Sequence, residues 1–436
     1  MERRDFLRLS SLAGLTLATP LSVKAFSDFG AASAADFPYF IVNVVAAGAW
    51  DTSCLCDPKG GNYITNAGED KGPINNLYGE GDILSAGNIN YAPIQSNTVF
   101  GDRHYSNELF FSKYFKDLLV INGIDMDTFN HETGAEMAWA GREARSYPTI
   151  PALYAAASQE DRALAYLSYG GYDKTRDLVP VSRINNLEML ESIAHPNMLN
   201  NGSIHSHDTY LRIKKAMQRR LERLAGVASM PRSQQAIAAL QGAQMGAGQL
   251  SLLEEYLPAD LDPDNDPNTQ AKVIAAAFKA GLCHGANIYR GGFDTHRDHD
   301  AYHPRRILEL LYAVDTLMEE AQRHGIADRV LVIMGSEFSR TPYYNDSDPP
   351  GKDHWDSNSF MVLGHGIQGN RVVGETDEQV KPVPVPTNRP VMTTESMIHT
   401  DIIGIHDVHA SLREHLGIDG FASNYPLDAP KFDFFA

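Results

Sequence analysis

The stretch Gly291-Gly292-Phe293-Asp294-Thr295-His296 sets a carboxylate and an imidazole two residues apart. A second stretch, Gly335-Ser336-Glu337-Phe338-Ser339-Arg340, adds a carboxylate and a guanidinium. The loop after it ends in Lys352-Asp353-His354. Oxygen and imidazole donors brought together suit a divalent metal ion. They must first be brought together, which is the work of the elements around them.

Apolar runs precede the first two stretches: His284 to Arg290 before Gly291, and Val330-Leu331-Val332-Ile333-Met334 before Gly335. A third, Phe360-Met361-Val362-Leu363, follows His354. Near-continuous apolar runs of this length are strands covered on both faces. Between the first two, Ile307, Leu310, Leu311, Val314, Leu317, Met318 and Ala321 recur at three and four, an amphipathic helix ended by Gly325. Strand, helix, strand gives parallel pairing. In an open parallel sheet the strand C-termini share one edge, where ligands bind. His299 and His303 lie just past the first motif and read as solvated, with either able to replace His296 as a ligand.

Further strands fit the same frame. Tyr39 to Ala46 ends at Gly48-Ala49-Trp50-Asp51, so an acidic residue again follows a core strand. Leu118 to Ile124 runs into Asp127-Thr128-Phe129-Asn130-His131-Glu132-Thr133-Gly134 and a short helix through Gly141. A helix N-terminus there offers unpaired N–H groups to an anion. Thr269 to Ala280 and Asp407 to His415 read as helices. Asp57 to Asn107, rich in Gly, Asn and Pro, reads as loops. The segment 188–257 reads as a helical insertion with sparse apolar positions, His205, His207 and Asp208 being surface residues on it. Asp262, Asp264 and Asp266 alternate like the start of a calcium loop. Pro267 and Val273 then stand where the turn Gly and terminal Glu belong, so the run reads as a linker.

The chain has 436 residues, 43% hydrophobic and 21% charged, enough for one large α/β domain or two smaller ones. A formal net charge of -18 disfavours nucleic acid or an anionic membrane surface as the partner. Anionic substrates stay open, because a bound metal reverses the local sign. Cys54, Cys56 and Cys283 form no disulfide framework and read as buried or free thiols, with a soft-metal site at Cys54 and Cys56 as the alternative. Residues 1–35 have the parts of an export signal. Arg3-Arg4-Asp5-Phe6-Leu7 is followed by a mild apolar run too short to span a membrane, then Ala31-Ala32-Ser33-Ala34-Ala35. Cleavage is expected near Ala34 or Ala35, or at Ala25.

The ordered set Gly48-Ala49-Trp50-Asp51, Asn130-His131, Phe293-Asp294-Thr295-His296, Ser336-Glu337-Phe338-Ser339-Arg340 and Asp353-His354 resembles the twin-arginine-exported, alkaline-phosphatase-like family called domain of unknown function 1501. The resemblance implies an α/β fold, a mostly parallel sheet sandwiched between helices, over residues 36–436. It implies a divalent metal (zinc, manganese, magnesium or calcium) on Asp294, His296 and His354, with Asp51, Glu337 and His131 for a second ion. Phosphatases carry Asp-His where this chain has Glu337-Phe338, so His131 is expected to supply the missing imidazole. Thr133 is the best hydroxyl candidate for a nucleophile, and Arg340 is placed to clamp an anionic substrate. The function implied is an exported, periplasmic or secreted hydrolase of a phosphate or sulfate ester, using water activated by the metal. Its partners would be an anionic small molecule or glycan and the twin-arginine export machinery. It would not be an integral membrane protein after cleavage. The alternative is a non-catalytic exported binding or structural protein on the same fold.

Overall fold

Along Phe40–Ala46 (β1), the side chains of Phe40, Val42, Val44 and Ala46 enter one apolar core, and Ile41 and Val45 another. Val330–Ser336 (β6) divides the same way, with Val330, Val332 and Met334 against Leu331 and Ile333. A strand apolar on both faces is covered on both faces. The computed structural model describes residues 39–64, 70–94, 99–100, 103–158, 162–184, 197–199, 202–230, 266–364, 366–392 and 397–427, with 233, 237, 252–253, 255–258, 261, 432 and 434–435.

The remaining elements of the frame, in chain order, are Asn107–Tyr114 (α1), Leu118–Asp125 (β2), His131–Ala140 (α2), Ile150–Ala157 (α3), Tyr166–Ser168 (β3), Val181–Arg183 (β4), His207–Val227 (α4), Pro267–Lys279 (α5), Gly285–Arg290 (β5), His299–His324 (α6), Ser339–Arg340 (β7), His354–Trp355 (β8), Ser357–Gly364 (β9), Arg371–Val373 (β10), Ile403–Gly404 (β11) and Ile405–His415 (α7). Nine strands of the described residues form one sheet in the order β4-β3-β5-β1-β6-β9-β2-β10, with β11 beside β2. All its pairings are parallel except the two made by β9. Helices α5 and α6 cover one face; α2, α3 and α7 cover the other. The mostly parallel sheet between helices is therefore the architecture of the chain.

Register decides where the chemistry falls. Ala46 of β1 is level with Arg290 of β5 and Ser336 of β6. The three strands therefore stop together and release their loops at one edge. Two of those loops meet closely. Gly48 has φ +109°, and a Cβ there would stand 2.4 Å from the Asp294 nitrogen. Only glycine lets the first loop pass beside the Asp294 backbone.

The 57–107 region contains short two-stranded pieces, such as Leu84–Ala86 with Ile89–Tyr91, among its loops. Asp266 caps α5 through the Thr269 N–H at 2.7 Å. Of the expected insertion, the described part holds α4, on which Leu221 is the buried residue; most of 228–257 lies outside the described residues. The expected export signal at 1–35 lies outside them entirely. No helix among the described residues is long and apolar enough to cross a membrane.

Candidate metal centre

Three imidazoles converge on one carboxylate at the sheet edge. Asp294 Oδ1 lies 3.0 Å from His296 Nε2, 3.5 Å from His131 Nε2 and 3.5 Å from His354 Nε2. Each ring is fixed from behind through Nδ1. His131 Nδ1 meets Glu337 Oε1 at 2.9 Å, His296 Nδ1 meets Asp353 Oδ1 at 2.7 Å, and His354 Nδ1 donates to the Phe129 carbonyl at 2.8 Å. With protons held on Nδ1, the three Nε2 lone pairs point inward. This is how metal-binding histidines are oriented.

The inward side leaves nitrogen atoms unsatisfied. His131 Nε2 is buried and makes no hydrogen bond. His296 Nε2 and His354 Nε2 stand 3.0 Å apart. That separation is satisfied by a proton on either nitrogen or by a cation beside both. The donor set of imidazole nitrogens and one carboxylate oxygen suits a divalent ion such as zinc. His131, Asp294 and His354 have donor atoms within 4.8 Å of one another. The residues present fit a metal.

The side chain of Asp294 is 50% exposed and that of His296 43%, so the centre opens to solvent on one side. Burial pushes the Asp294 carboxyl up, but its hydrogen bond and ion pair with Arg340 outweigh this and hold it below the usual carboxylate range. His131 is raised, chiefly by its hydrogen bond to Glu337. Gly134 lets α2 approach closely enough for that bond, since a Cβ there would stand 2.9 Å from the Glu337 carbonyl oxygen.

Behind this centre lies a second, fully buried cluster. Asp51 Oδ2 is 2.5 Å from Lys352 Nζ and 3.1 Å from His299 Nε2. Oδ1 accepts from the Ser53 amide at 2.9 Å and its hydroxyl at 2.6 Å. The Asp51 amide donates to His303 Nε2 at 2.7 Å, so in neutral His303 the proton sits on Nδ1. Thr295 Oγ1 lies 3.0 Å from that Nδ1 and 2.7 Å from His299 Nδ1. A closed circuit results. His303 donates to Thr295, Thr295 gives its proton to His299 Nδ1 as the nearer of two acceptors (the Phe293 carbonyl is at 3.3 Å), and His299 then donates through Nε2 to the Asp51 carboxylate. Burial pushes Asp51 up, but Lys352 and His299 overcome it and hold the carboxyl well below its ordinary range.

The structure divides the sequence candidates differently from expectation. Asp51 does not join Glu337 and His131; it is paired with Lys352, and His131 goes instead to Asp294 and His354. His299 and His303 are not solvated. Both are wholly buried, because α6 begins at His299 and their i, i+4 positions continue the apolar stripe through Ile307. Arg340 is not free to clamp a substrate. Its side chain is wholly buried, and it donates to the carbonyls of Ala49, Lys352 and Gly48 and to Asp294. Its role is to tie three loops together. Thr133 is two residues from His131, roughly 200° around the helix, and lines a different cleft of about 300 Å³ with Asp127, Met137 and His406. It does not supply a hydroxyl at the histidines. Cys54, Cys56 and Cys283 are buried free thiols. Cys56 faces Asn122 rather than Cys54.

A pH dependence follows from the buried cluster. Burial lowers His299, and lowers His303 well below the ordinary histidine value. The folded state keeps both neutral below about pH 6.5, where the unfolded chain takes up protons. Stability therefore falls as pH drops through that range, by up to roughly 1.4 kcal/mol per pH unit for each histidine. His409, lowered to about 3 by burial, acts in the same direction. Urea unfolding of the metal-free protein between pH 5 and 7 measures the slope, and His303→Asn should reduce it by one proton. A flat profile would contradict neutral buried histidines.

The family model for proteins of unknown function (DUF1501) matches residues 180–432. Solved structures similar to this chain include three from bacteria. The lipoteichoic acid synthase LtaP from Listeria monocytogenes is 8% identical, with TM-score 0.36, over 98% of this chain and 80% of that one. A protein in the alkaline phosphatase superfamily from Vibrio parahaemolyticus is 7% identical, with TM-score 0.38, over 96% and 76%. The alkaline phosphatase from the Antarctic bacterium TAB5 is 10% identical, with TM-score 0.34, over 86% and 98%. No curated protein sequence matches significantly. With its family model covering more than half of its length, the chain belongs to the DUF1501 family.

Proposed function

We propose that this protein is an exported metal-dependent hydrolase of a phosphate or sulfate ester, bound to an anionic small molecule or glycan at the opening beside Asp294. The observation that supports it is the convergence of three Nδ1-anchored imidazoles on the exposed Asp294. His131, His296, His354 and Asp294 would hold the ion. When bound, a divalent ion there supplies Lewis acidity toward a substrate oxygen and lowers the pKa of water. Glu337, Asp353 and the Phe129 carbonyl keep the Nδ1 protons in place, so the rings stay aimed. Arg340 restrains Asp294 on the side away from solvent. Since Arg340 faces inward and Thr133 lies on another face, neither contributes to attack or to binding the anion. Export through the twin-arginine machinery is part of this reading and is carried by residues 1–35.

A second reading, a non-catalytic exported binding protein, is favoured by the inward commitment of Arg340 and Lys352, which withholds both of these cations from the anion. Turnover separates the two. The metal-loaded mature protein should hydrolyse at least one class among phosphate monoesters, phosphodiesters and sulfate esters, and Asp294→Ala should not. Metal-loaded protein inactive on all three classes would leave the binding reading.

A further inference from the structure

Asp51, Cys54 and His299 form a second group whose donor atoms lie within 4.8 Å of one another, all three buried. Carboxylate, thiolate and imidazole are a good set for zinc or cobalt. We infer that this position takes no metal in the native protein, because the ammonium of Lys352 is built into it as a permanent cation. The inference rests on the outer centre proposed above being the metal site, and it makes that site mononuclear.

Two observations carry it. Lys352 Nζ sits 2.5 Å from Asp51 Oδ2, and both side chains are all but inaccessible. An ion coordinated by that oxygen at about 2 Å would stand against the ammonium, and Lys352 has no room to swing out. Its amide is held by the Thr295 carbonyl at 3.1 Å, its carbonyl accepts from Arg340, and its ammonium lies 5.2 Å from the centre of the Tyr344 ring. The second observation is the proton circuit. The Thr295 hydroxyl has two acceptors, His299 Nδ1 at 2.7 Å and the Phe293 carbonyl at 3.3 Å; given to the nearer one, its proton leaves His299 Nε2 carrying hydrogen toward Asp51, with no lone pair for an ion. The other free oxygen of Asp51 is already held by Ser53. Cys54 Sγ, 3.5 Å from Oδ2, remains a thiol in this arrangement.

The arrangement also has a purpose in the frame. Thr295, which closes the circuit, lies between Asp294 and His296. Lys352 immediately precedes Asp353 and His354. The inner cation and its circuit thereby fix both chain segments that feed the outer centre, and Asp51, His299, His303 and Lys352 are positioning residues for it.

Cobalt(II) titration of the native protein tests this, because cobalt bound by a thiolate gives a near-ultraviolet charge-transfer band and cobalt on imidazole and carboxylate does not. Native protein should bind one equivalent without that band. Lys352→Met, which removes the ammonium and keeps the volume, should gain a second equivalent with the band: the Thr295 hydroxyl turns to the Phe293 carbonyl, 3.3 Å away, His299 carries its proton on Nδ1 and frees Nε2, and the Cys54 proton leaves to solvent. Adding Cys54→Ser should abolish the band. Two equivalents or a thiolate band in the native protein would overturn the inference, as would folded Lys352→Met that gains none. These readouts differ from failure of the outer centre, which shows as no cobalt in native protein. The Lys352→Met arm still decides the inner position in that case. If Lys352→Met does not fold, the native spectrum and stoichiometry decide alone.

Discussion

Lys352→Ala should lower the unfolding free energy by about 3–5 kcal/mol, the range for removing one partner of a buried ion pair. The reason is the charge left behind. Asp51 is 1% exposed and Lys352 0%, so the carboxylate is left away from bulk solvent without its partner. Asp51→Asn alone should destabilise for the mirror-image reason, leaving a buried lysine unpaired. The double variant Asp51→Asn with Lys352→Met removes both charges and should recover a large part of the loss. Urea denaturation of the four proteins, stripped of metal, gives the coupling directly. Additive losses would mean that the two groups do not form the pair described. A loss below about 1 kcal/mol for Lys352→Ala would put the pair in the range of solvent-screened surface bridges.

Asp294→Ala should remove the bound metal and all metal-dependent turnover while leaving the protein folded. Asp294 supplies the carboxylate oxygen in the convergent set and is half exposed, so its loss creates no buried cavity; buried Arg340 loses this partner but keeps the Ala49, Lys352 and Gly48 carbonyls, so a moderate loss of stability accompanies the loss of metal. The partners of the ligands should behave differently. Glu337→Gln keeps a hydrogen-bond acceptor near His131 Nδ1 but removes the charge, and should weaken metal binding by about 10- to 100-fold. Isothermal titration with zinc on the native protein and the two variants distinguishes ligand from anchor. Equal affinities in all three would exclude Asp294 from the centre.

Much of this was legible before any coordinates. The apolar runs that became β1, β2, β5, β6 and β9 fixed both the layers and the sheet edge, because a strand buried on two faces leaves no alternation to misread. The Phe-Asp-Thr-His stretch then fell at the end of parallel strand β5, and Asp353-His354 came beside it because β9 runs antiparallel and begins at that edge. The buried cluster was harder to see. His299 and His303 stand among Arg297, Asp298 and Asp300, a run whose composition suggests solvent. The available signal was spacing, since 299, 303, 307, 311 and 314 form one helical stripe. Lys352 carried no such signal. A buried lysine is tolerable only beside a carboxylate, and its partner is 301 residues away in sequence. Asp353 was passed over as a neighbour of His354, though it anchors His296. Arg340 and Thr133 lie close in sequence to Glu337 and His131, but the direction of a side chain depends on contacts. Arg340 turns inward to three carbonyls and Asp294, and Thr133 turns to the far side of α2.

The most direct test of the central claim is the metal content of the mature protein, purified folded without chelators, measured by elemental analysis beside Asp294→Ala and Asp51→Asn. One equivalent of a divalent ion is expected in the native protein, none in Asp294→Ala, and one in Asp51→Asn. No metal in the native protein, with none taken up on titration, would contradict a metal centre on His131, His296, His354 and Asp294.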